Sequence, residues 1–420
     1  MVDRIDVRGC GPITGVDDHA VFTQAITNAL STGLPLYIPA NTNLGLGSHS
    51  YMMTAPIRII GEGDTSVLTR SGDNDNPLIY FNGGSPGSYY VGNLKIQSVQ
   101  TTEPTNSSFN SAICACNTND VTVENVTVSG AVNGFYMGIV FDGVNVGRIS
   151  GAKVYKCFNR GIYLYHACID VIVTDFHIDL SDSAGAPRGS YGLNTNPSDN
   201  TIAKRLVVSD GTIRGFTSHG LSASERYEDI IFANLVIEVP AEPDPNKAVC
   251  CVILQSANGY RGRKILLSNV RTIGGRTGIF ANECDDFEIA NCHAFDAPLA
   301  GIYILNSTRW TITGGSSSHC YSQGLLIQGL AGPGAVRDGQ VIGHRANDCA
   351  GYGALVTGGG PGFVTEVGFV GGSYSDNGKG ILALETTDRI TTSVTYAHRS
   401  GVVPIELLGT NSSSYNNQVT

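Results

Sequence analysis

The hexapeptide Gly161-Ile-Tyr-Leu-Tyr-His166 decides the fold, because variants of it return along most of the chain. Each copy begins with glycine, alternates apolar residues with others and ends at a polar turn. Successive copies start 21 to 31 residues apart, and a unit of that length is too short to bury an apolar face alone. Stacking of neighbouring units is therefore expected. The other copies are GIVFDG from Gly138, YGLNTN from Tyr191, GLSASE from Gly220, GIFANE from Gly278, GIYILN from Gly301, GLLIQG from Gly324, GALVTG from Gly353, GILALE from Gly380 and GVVPIE from Gly401, with CVILQS from Cys251 as a variant.

The spacing of apolar residues inside the hexapeptide predicts β-strands. Ile162 and Leu164 are separated by one residue, so their side chains point to the same face of an extended chain. A second apolar run, such as Val171-Ile-Val173, follows about ten residues later, between turns rich in Gly, Asn, Asp and Ser. Two or three short strands per repeat describe one coil of a parallel β-helix. The sequence therefore predicts an all-β parallel β-helix of about 12 coils, forming one elongated domain over residues 55–420.

Residues 1–54 are predicted to cap the first coil. Asp18 suits the start of a helix and Gly33 suits its end, which predicts a helix over about residues 18–32. A short strand, Leu36-Tyr-Ile-Pro39, follows this helix at once. A terminal helix with a polar outer face covers the first coil and so prevents edge-to-edge association.

The order of the N-terminal segment resembles the pectate-lyase superfamily of right-handed β-helices. It runs AVFTQAITNAL from Ala20 and LPLYIPA from Leu34, and the coils follow. This superfamily includes polygalacturonase-like enzymes and the tailspike depolymerases of bacteriophages. The resemblance implies a right-handed winding, a polysaccharide as substrate and partner, and an extracellular or virion-associated location. The tailspike likeness further implies assembly as a homotrimer.

Composition excludes several classes of function. A formal net charge of −10 and a pI near 5.3 argue against nucleic-acid binding, which requires a basic face. The chain has no run of about 18 apolar residues and no charged-then-apolar leader, so neither a membrane span nor a signal peptide is predicted. Its 11 cysteines lack zinc-ribbon spacing and are predicted to be buried free thiols. No metal and no cofactor are predicted.

Residues that alternate with the apolar ones are expected to form columns on the outer face of the coils. These columns combine aromatic rings with amides, and such a surface suits carbohydrate, because rings stack on sugar faces while amides bond hydroxyl groups. The outward aromatic residues are also compatible with an oligomer contact. The predicted substrate-binding residues are Tyr163, Tyr165, Asn194, Asn196, Arg226, Asn282 and Tyr303.

Glu225 and Glu283 are the predicted acid/base pair of a glycoside hydrolase. They occupy the same position in hexapeptides two coils apart, which places their backbones about 10 Å from each other. An inverting glycosidase needs carboxyl groups roughly 6.5–9.5 Å apart, with water between the sugar and the base. Asp142 and His166 are further catalytic candidates. The alternative is that the recurring glutamate accepts turn N–H groups and has only a structural role.

Two other functions are left open by the sequence. Elimination or C5 epimerisation of a uronate glycan needs a cation for the carboxylate and a base for the proton, which Tyr165, His166 and Arg226 supply. The segment Tyr191-Gly-Leu-Asn-Thr-Asn196 resembles the Y-G-F-D-P-H motif of mannuronan epimerases, with asparagines in place of the Asp and the His. Because those replacements remove the acid and the base of the motif, we place this chemistry second, after hydrolysis by an endo-acting depolymerase. A non-catalytic glycan-binding shaft is the third reading.

Overall fold

The chain forms a parallel β-solenoid of about 13 turns, as its computed structural model shows. It divides into two compact units, Met1–Thr217 and Ser218–Thr420, and each is described by itself. The structure describes residues 3–72, 75–83, 86–100, 110–130, 134–181, 189–197, 201–239, 249–256, 260–330, 335–358, 363–383, 387–393, 396–398, 405–408, 412–415 and 418–419.

The first unit holds the single α-helix of the described residues, α1 (His19–Thr32), and a 3-10 helix, Val7–Cys10. Its strands are β1 (Ile5–Asp6), β2 (Leu36–Tyr37), β3 (Thr42–Gly45), β4 (Tyr51–Met53), β5 (Arg58–Arg70), β6 (Ile79–Asn82), β7 (Tyr89–Ser98), β8 (Ser111–Cys116), β9 (Val121–Gly130), β10 (Met137–Asp142), β11 (Gly147–Ser150), β12 (Lys153–Tyr155), β13 (Arg160–Tyr165), β14 (Val171–Asp179), β15 (Gly189–Asn196) and β16 (Ala203–Arg214).

The second unit consists of strands alone among its described residues. They are β17 (Phe216–Glu225), which begins just before the unit boundary, β18 (Tyr227–Glu238), β19 (Cys250–Ser256), β20 (Gly262–Ser268), β21 (Arg271–Ile273), β22 (Thr277–Asn282), β23 (Cys284–Ala290), β24 (His293–Phe295), β25 (Ala300–Leu305), β26 (Thr308–Thr313), β27 (Ser316–Ser318), β28 (Gln323–Gly329), β29 (Val336–Ile342), β30 (Arg345–Asn347), β31 (Tyr352–Gly358), β32 (Val364–Val370), β33 (Ser373–Ser375), β34 (Lys379–Ala383), β35 (Thr387–Ser393), β36 (Tyr396–His398), β37 (Ile405–Leu407), β38 (Ser413–Tyr415) and β39 (Gln418–Val419).

In each unit the strands that carry the repeated hexapeptide pair in parallel, and in the first unit β4, β6 and β8 extend the same ladder. We call each such ladder the hexapeptide sheet of its unit. It comprises β4, β6, β8, β10, β13 and β15 in the first unit. In the second unit it comprises β17, β19, β22, β25, β28, β31, β34 and β37. The remaining strands pair with those of neighbouring turns to form a second set of parallel ladders.

Apolar residues of the hexapeptide sheets form the core of each unit. Ile139 is the register partner of Ile162, Ile162 is the partner of Leu193, and all three are fully buried. Leu221 and Val252 are the equivalent buried partners in the second unit. The alternation that predicted a parallel β-helix is therefore confirmed.

The glycine that opens the hexapeptide is explained by close packing between successive turns. A Cβ atom on Gly161 would lie 2.8 Å from the carbonyl oxygen of Gly192, a separation that real Cβ atoms essentially never show. In the second unit, a Cβ atom on Gly278 would lie 2.6 Å from the carbonyl oxygen of Gly301. Glycine recurs at this position because a carbonyl oxygen of the following turn occupies the space that a Cβ atom would need.

The helix α1 lies at the N-terminus and ends at Gly33, whose left-handed backbone places its N–H on the Ala29 carbonyl at 2.9 Å. Asp18 precedes the helix, but its carboxylate caps other backbone groups. It accepts from Thr14 N at 2.6 Å, and from Gly15 N at 2.8 Å and Gly45 N at 2.9 Å. These bonds outweigh the burial of the carboxylate and lower the pKa of Asp18. Asp18 therefore ties the chain before the helix to strand β3.

The cysteines are free and ten of the eleven are buried, with Cys10 partly exposed. Among the described residues, no helix has the length and apolar character needed to cross a membrane.

Candidate functional site

The first unit gathers six of the predicted site residues on neighbouring strands of its hexapeptide sheet. Val140, Tyr163 and Asn194 are register partners on β10, β13 and β15. The next column holds Asp142, Tyr165 and Asn196, and His166 follows directly after β13.

Asp142 and His166 form a charge-assisted pair at the end of these strands. The Nδ1 atom of His166 bonds Oδ1 of Asp142, and only 7% of the Asp142 side chain is exposed. Because the carboxylate holds the proton on Nδ1, the basic lone pair of the neutral ring lies on Nε2. The imidazole is 30% exposed, so its outer edge reaches solvent. This arrangement is that of a histidine base oriented by a buried carboxylate.

A thiol lies on the other side of the same carboxylate. Cys116 Sγ donates to Asp142 Oδ2 at 3.6 Å. Burial first, and the nearby Asp142 charge second, raise the pKa of Cys116 to about 11. Cys116 is therefore a neutral thiol at physiological pH and donates to the Asp142 carboxylate.

Three rings stack beside the Asp142–His166 pair. The Tyr165 and His166 rings are 3.7 Å apart between centroids, and the Tyr163 and Tyr165 rings are 4.9 Å apart. This stack fixes the orientation of the imidazole and offers an aromatic surface of the kind that sugars contact.

Arg160 completes the cluster, and sequence reasoning missed it. Its guanidinium lies 4.2 Å from the centroid of Tyr163 and 5.1 Å from that of Tyr191, and its Nε donates to Asn194 Oδ1 at 3.2 Å. No carboxylate in the described ranges forms an ion pair with Arg160, so its charge remains available to an anionic ligand. The available signal was its position directly before Gly161, in register with Tyr191.

Tyr163 and Asn194 face outward as predicted but are only 5% and 3% exposed. Tyr163 packs in a buried cluster with Tyr136, Met137 and Val140. The Arg160 guanidinium also covers Tyr163 and bonds Asn194. We conclude that these two residues position Arg160 and are largely shielded from a ligand in this state.

Glu225 and Glu283 belong to the second unit and occupy the turn that ends a hexapeptide strand. Glu225 is the register partner of Ser256, and Glu283 follows the next strand, β22, so the two are two strands apart as predicted. Both side chains are half-buried. Their backbones are left-handed, with φ of 70° and 57°, as is that of Asn306 on the following turn, with φ of 47°. The shared feature of this position is therefore the shape of the turn.

Tyr303 and Asn282 line the face of the hexapeptide sheet in the second unit. The Phe280 and Tyr303 rings are 4.9 Å apart, and the Tyr303 hydroxyl donates to Gln328 Oε1. Burial raises the pKa of Tyr303. Asn282 Oδ1 and Gln323 Oε1 are buried without a hydrogen-bond partner among the described residues.

A groove of about 470 Å³ runs over the Phe280–Tyr303 pair. Arg276 and Gln323 contribute polar groups to it, and Leu299 and Leu326 contribute apolar walls. Arg226, in contrast, lies outside this lining and packs with its guanidinium 5.8 Å from the ring centroid of Tyr260.

Solved structures of low sequence identity match nearly the whole chain. Tailspike protein 3 of bacteriophage CBA120 aligns with a TM-score of 0.52 at 12% identity, covering 99% of this chain and 61% of that one. The chain thus spans less than two thirds of that tailspike. The A-module of the mannuronan C-5 epimerase AlgE6 of Azotobacter vinelandii aligns with a TM-score of 0.53 at 12% identity, covering 100% and 99%. Pre-mature gene product 12 of bacteriophage phi29 aligns with a TM-score of 0.55 at 13% identity, covering 99% and 55%.

The fold is that of the pectate-lyase-like parallel β-helices. No protein-family model matches the chain, and no curated protein matches it either. At these identities the likeness to solved structures describes the fold and leaves the activity to the side chains.

The described part of the chain contains no group of three or more His, Cys, Asp or Glu side chains placed to hold a metal ion.

Proposed function

We propose that the protein acts on a polysaccharide that binds to the outer face of the hexapeptide strands. In the first unit this face presents stacked tyrosines, an oriented histidine and Arg160, with which no carboxylate of the described residues forms an ion pair. In the second unit it presents a groove with an aromatic pair and the amide groups of Gln323 and Gln328. Rings for the apolar faces of sugars and acceptors for their hydroxyl groups are the two requirements of a glycan site.

The observations that carry the proposal are the Asp142–His166 pair at one end of β13 and the Arg160 guanidinium, which lies over Tyr163 of the same strand. His166 is oriented to remove a proton through Nε2, and Asp142 stabilises the imidazolium that forms. Arg160 supplies a cation for a sugar carboxylate, whose neutralisation makes the neighbouring C–H more acidic. This set of groups favours elimination or C5 epimerisation of a uronate glycan, so we place proton abstraction first.

Hydrolysis by Glu225 and Glu283 is the second candidate. Two half-buried carboxyl groups at equivalent positions two strands apart stand at a backbone spacing of about 10 Å. Side chains that lean toward each other bring such groups into the range of an inverting pair. One carboxyl then protonates the leaving oxygen while the other activates water.

The test is a screen of bacterial capsular, lipopolysaccharide O-antigen, exopolysaccharide and plant-wall glycans. Elimination gives unsaturated uronate ends that absorb in the ultraviolet, epimerisation gives inverted C5 signals by NMR, and hydrolysis gives saturated ends by mass spectrometry. We expect His166→Gln to reduce kcat by about 10²- to 10⁴-fold. The matched control is His177→Gln, because His177 lies in the same unit on β14, outside the hexapeptide sheet.

Other outcomes of the screen assign the function differently. Full activity in His166→Gln, with loss in Glu225→Gln or Glu283→Gln, transfers the chemistry to the carboxylate pair. Glycan binding without any product favours a non-catalytic shaft. An extracellular or virion-associated location and a homotrimer are part of the tailspike form of this proposal, and a monomer by light scattering counts against that form.

A further inference from the structure

Two buried thiols face each other on successive turns of the second unit. Ser318 on β27 is the register partner of Asn347 on β30, and Cys320 and Cys349 each follow two residues later. The Ala350 N–H donates to the Cys320 carbonyl at 2.9 Å, so the register continues through both cysteines. Each is 1% exposed, and they pack together with Ala297.

The register places the two Cα atoms at a separation suited to a disulfide. Neighbouring parallel strands lie about 4.8 Å apart, and disulfides form across Cα separations of roughly 4.4–6.8 Å. Equivalent positions on parallel strands also direct their side chains the same way, here into the interior beside Ala297.

The two thiols are not equivalent. The neighbouring Cys349 sulfur first, and burial second, raise the pKa of Cys320. The neighbouring Cys320 thiol lowers the pKa of Cys349. Cys349 is thus the thiol that ionises first and the nucleophile of the pair. Like the buried Cys292, each of the two places its sulfur near the carbonyl oxygen two residues earlier, at 3.7 Å for Cys320 and 3.6 Å for Cys349.

We propose that Cys320 and Cys349 are an oxidation site, at which a peroxide forms a disulfide between two turns of the solenoid. The Cys349 thiolate attacks one oxygen of hydrogen peroxide, so that an S–O bond forms, the O–O bond breaks and hydroxide leaves. The Cys320 sulfur then attacks the Cys349 sulfenic acid. An S–S bond forms, the S–O bond breaks, and the departing hydroxide takes the Cys320 proton as water. The two thiols lose two electrons and two protons, and the peroxide becomes two waters. A small oxidant suits thiols that are this deeply buried.

The test starts from the reduced full-length protein and one equivalent of hydrogen peroxide. Free thiols are then alkylated with iodoacetamide in denaturant, and peptides are mapped by mass spectrometry. We expect the number of alkylated cysteines to fall by two from 11 and a single cross-linked peptide pair that contains Cys320 and Cys349. Full alkylation of both residues after oxidation of a protein that remains folded by circular dichroism overturns the proposal.

Variants separate this pair from the other buried thiols. Cys349→Ser is expected to abolish the cross-link, and Cys292→Ser is expected to leave it unchanged. In Cys320→Ala, the sulfenic acid has no partner, so dimedone is expected to label Cys349. Dimedone labelling of other cysteines in place of Cys349 contradicts the assigned nucleophile, and the wild-type map remains decisive if a variant fails to fold.

Discussion

Glu225 and Glu283 occupy a left-handed backbone that asparagine and glycine adopt readily and glutamate does not. At the equivalent turn after β25 the chain carries Asn306, with φ of 47°. A glutamate in this conformation is unfavourable by about 1–2 kcal/mol. His166 at the equivalent turn after β13 has a φ of 52°, so the turn imposes this backbone on whichever residue stands there.

We therefore predict that Glu225→Asn and Glu283→Asn leave the unfolding free energy unchanged or raise it by up to about 1 kcal/mol. Urea unfolding monitored by circular dichroism measures this. If either residue is catalytic, glycan cleavage falls in the same variant while the fold is retained. A loss of stability from both substitutions would show instead that the carboxylates hold the turns together.

His344 is a buried residue with a predictable pH dependence. Burial lowers its pKa from 6.5 to about 4, and its ring bonds Ser317 Oγ and the Gly314 carbonyl oxygen, each at 3.2 Å. The unfolded state binds the proton more readily, so the stabilising effect of a neutral His344 is complete above pH 6.5. It is lost progressively as the pH falls from about 6.5 to about 4.

We predict that His344→Gln reduces the loss of stability between pH 7 and pH 4.5. Urea midpoints at the two pH values measure it, and His319→Gln is the control because the His319 side chain is 64% exposed. An unchanged pH dependence in His344→Gln would falsify the assignment.

At the residue scale, sequence reasoning found the cluster but not the arrangement of its charges. It named Asp142 and His166 and placed Tyr163 and Tyr165 on one face, because alternation and register follow from strand geometry. It did not name Arg160, which stands before the hexapeptide, nor the shielding of Tyr163 and Asn194 beneath it. Whether Arg160 covers Tyr163 and Asn194 depends on the conformation of its long side chain. The spacing of residues in a repeat does not determine that conformation.

At the scale of the strand, a glycine can be required because a large side chain on the neighbouring strand packs against it, and not only because the chain turns. Gly339 on β29 follows Trp310 of β26 in register, and a Cβ atom at Gly339 would lie 2.1 Å from the Trp310 ring. Trp310 is 1% exposed and has no space into which to move.

We predict that Gly339→Ala lowers the unfolding free energy by about 1–3 kcal/mol through overpacking. Gly368→Ala on the adjacent strand β32 is the matched control, because its nearest neighbour would be Thr391 Oγ1 at 3.4 Å. We expect that control to change stability by less than about 0.5 kcal/mol. Equal effects of the two substitutions in urea unfolding would contradict the packing argument.

The sequence predicted the positions of individual strands and of the helix better than it predicted side-chain contacts. The period of two identified the hexapeptide strands, and Asp18 and Gly33 bounded a helix that the structure places at His19–Thr32. The hydrogen bond that the Asp18 carboxylate accepts from Gly45 N was not predictable, because Gly45 is distant in sequence. Local signals specify where an element ends but not which remote backbone group completes it.

At the scale of the whole molecule, the described turns of each unit pair in parallel with their neighbours in that unit. In the second unit, Ala300 is the register partner of Gln323, so residues 301–323 constitute one complete turn. Stability of such a stack is approximately a sum of turns and their interfaces.

We predict that a deletion of residues 301–323 gives a folded protein with the same β-sheet circular dichroism and a smaller m value in urea. The deletion also removes Tyr303, so glycan binding in the second-unit groove should be lost. A variant that is unfolded under native conditions would show that turns are not interchangeable in this chain.

The contact between an opening glycine and the carbonyl oxygen of the next turn has a consequence for how such chains diversify. Where glycine opens two successive hexapeptides, as at Gly161 and Gly192 or at Gly278 and Gly301, the turns meet through the same backbone contact. Exchanging or duplicating a complete segment from one such glycine to the next therefore preserves that contact. Recombination can therefore reshuffle the outer side chains, and with them the recognised glycan, while the scaffold beneath stays intact.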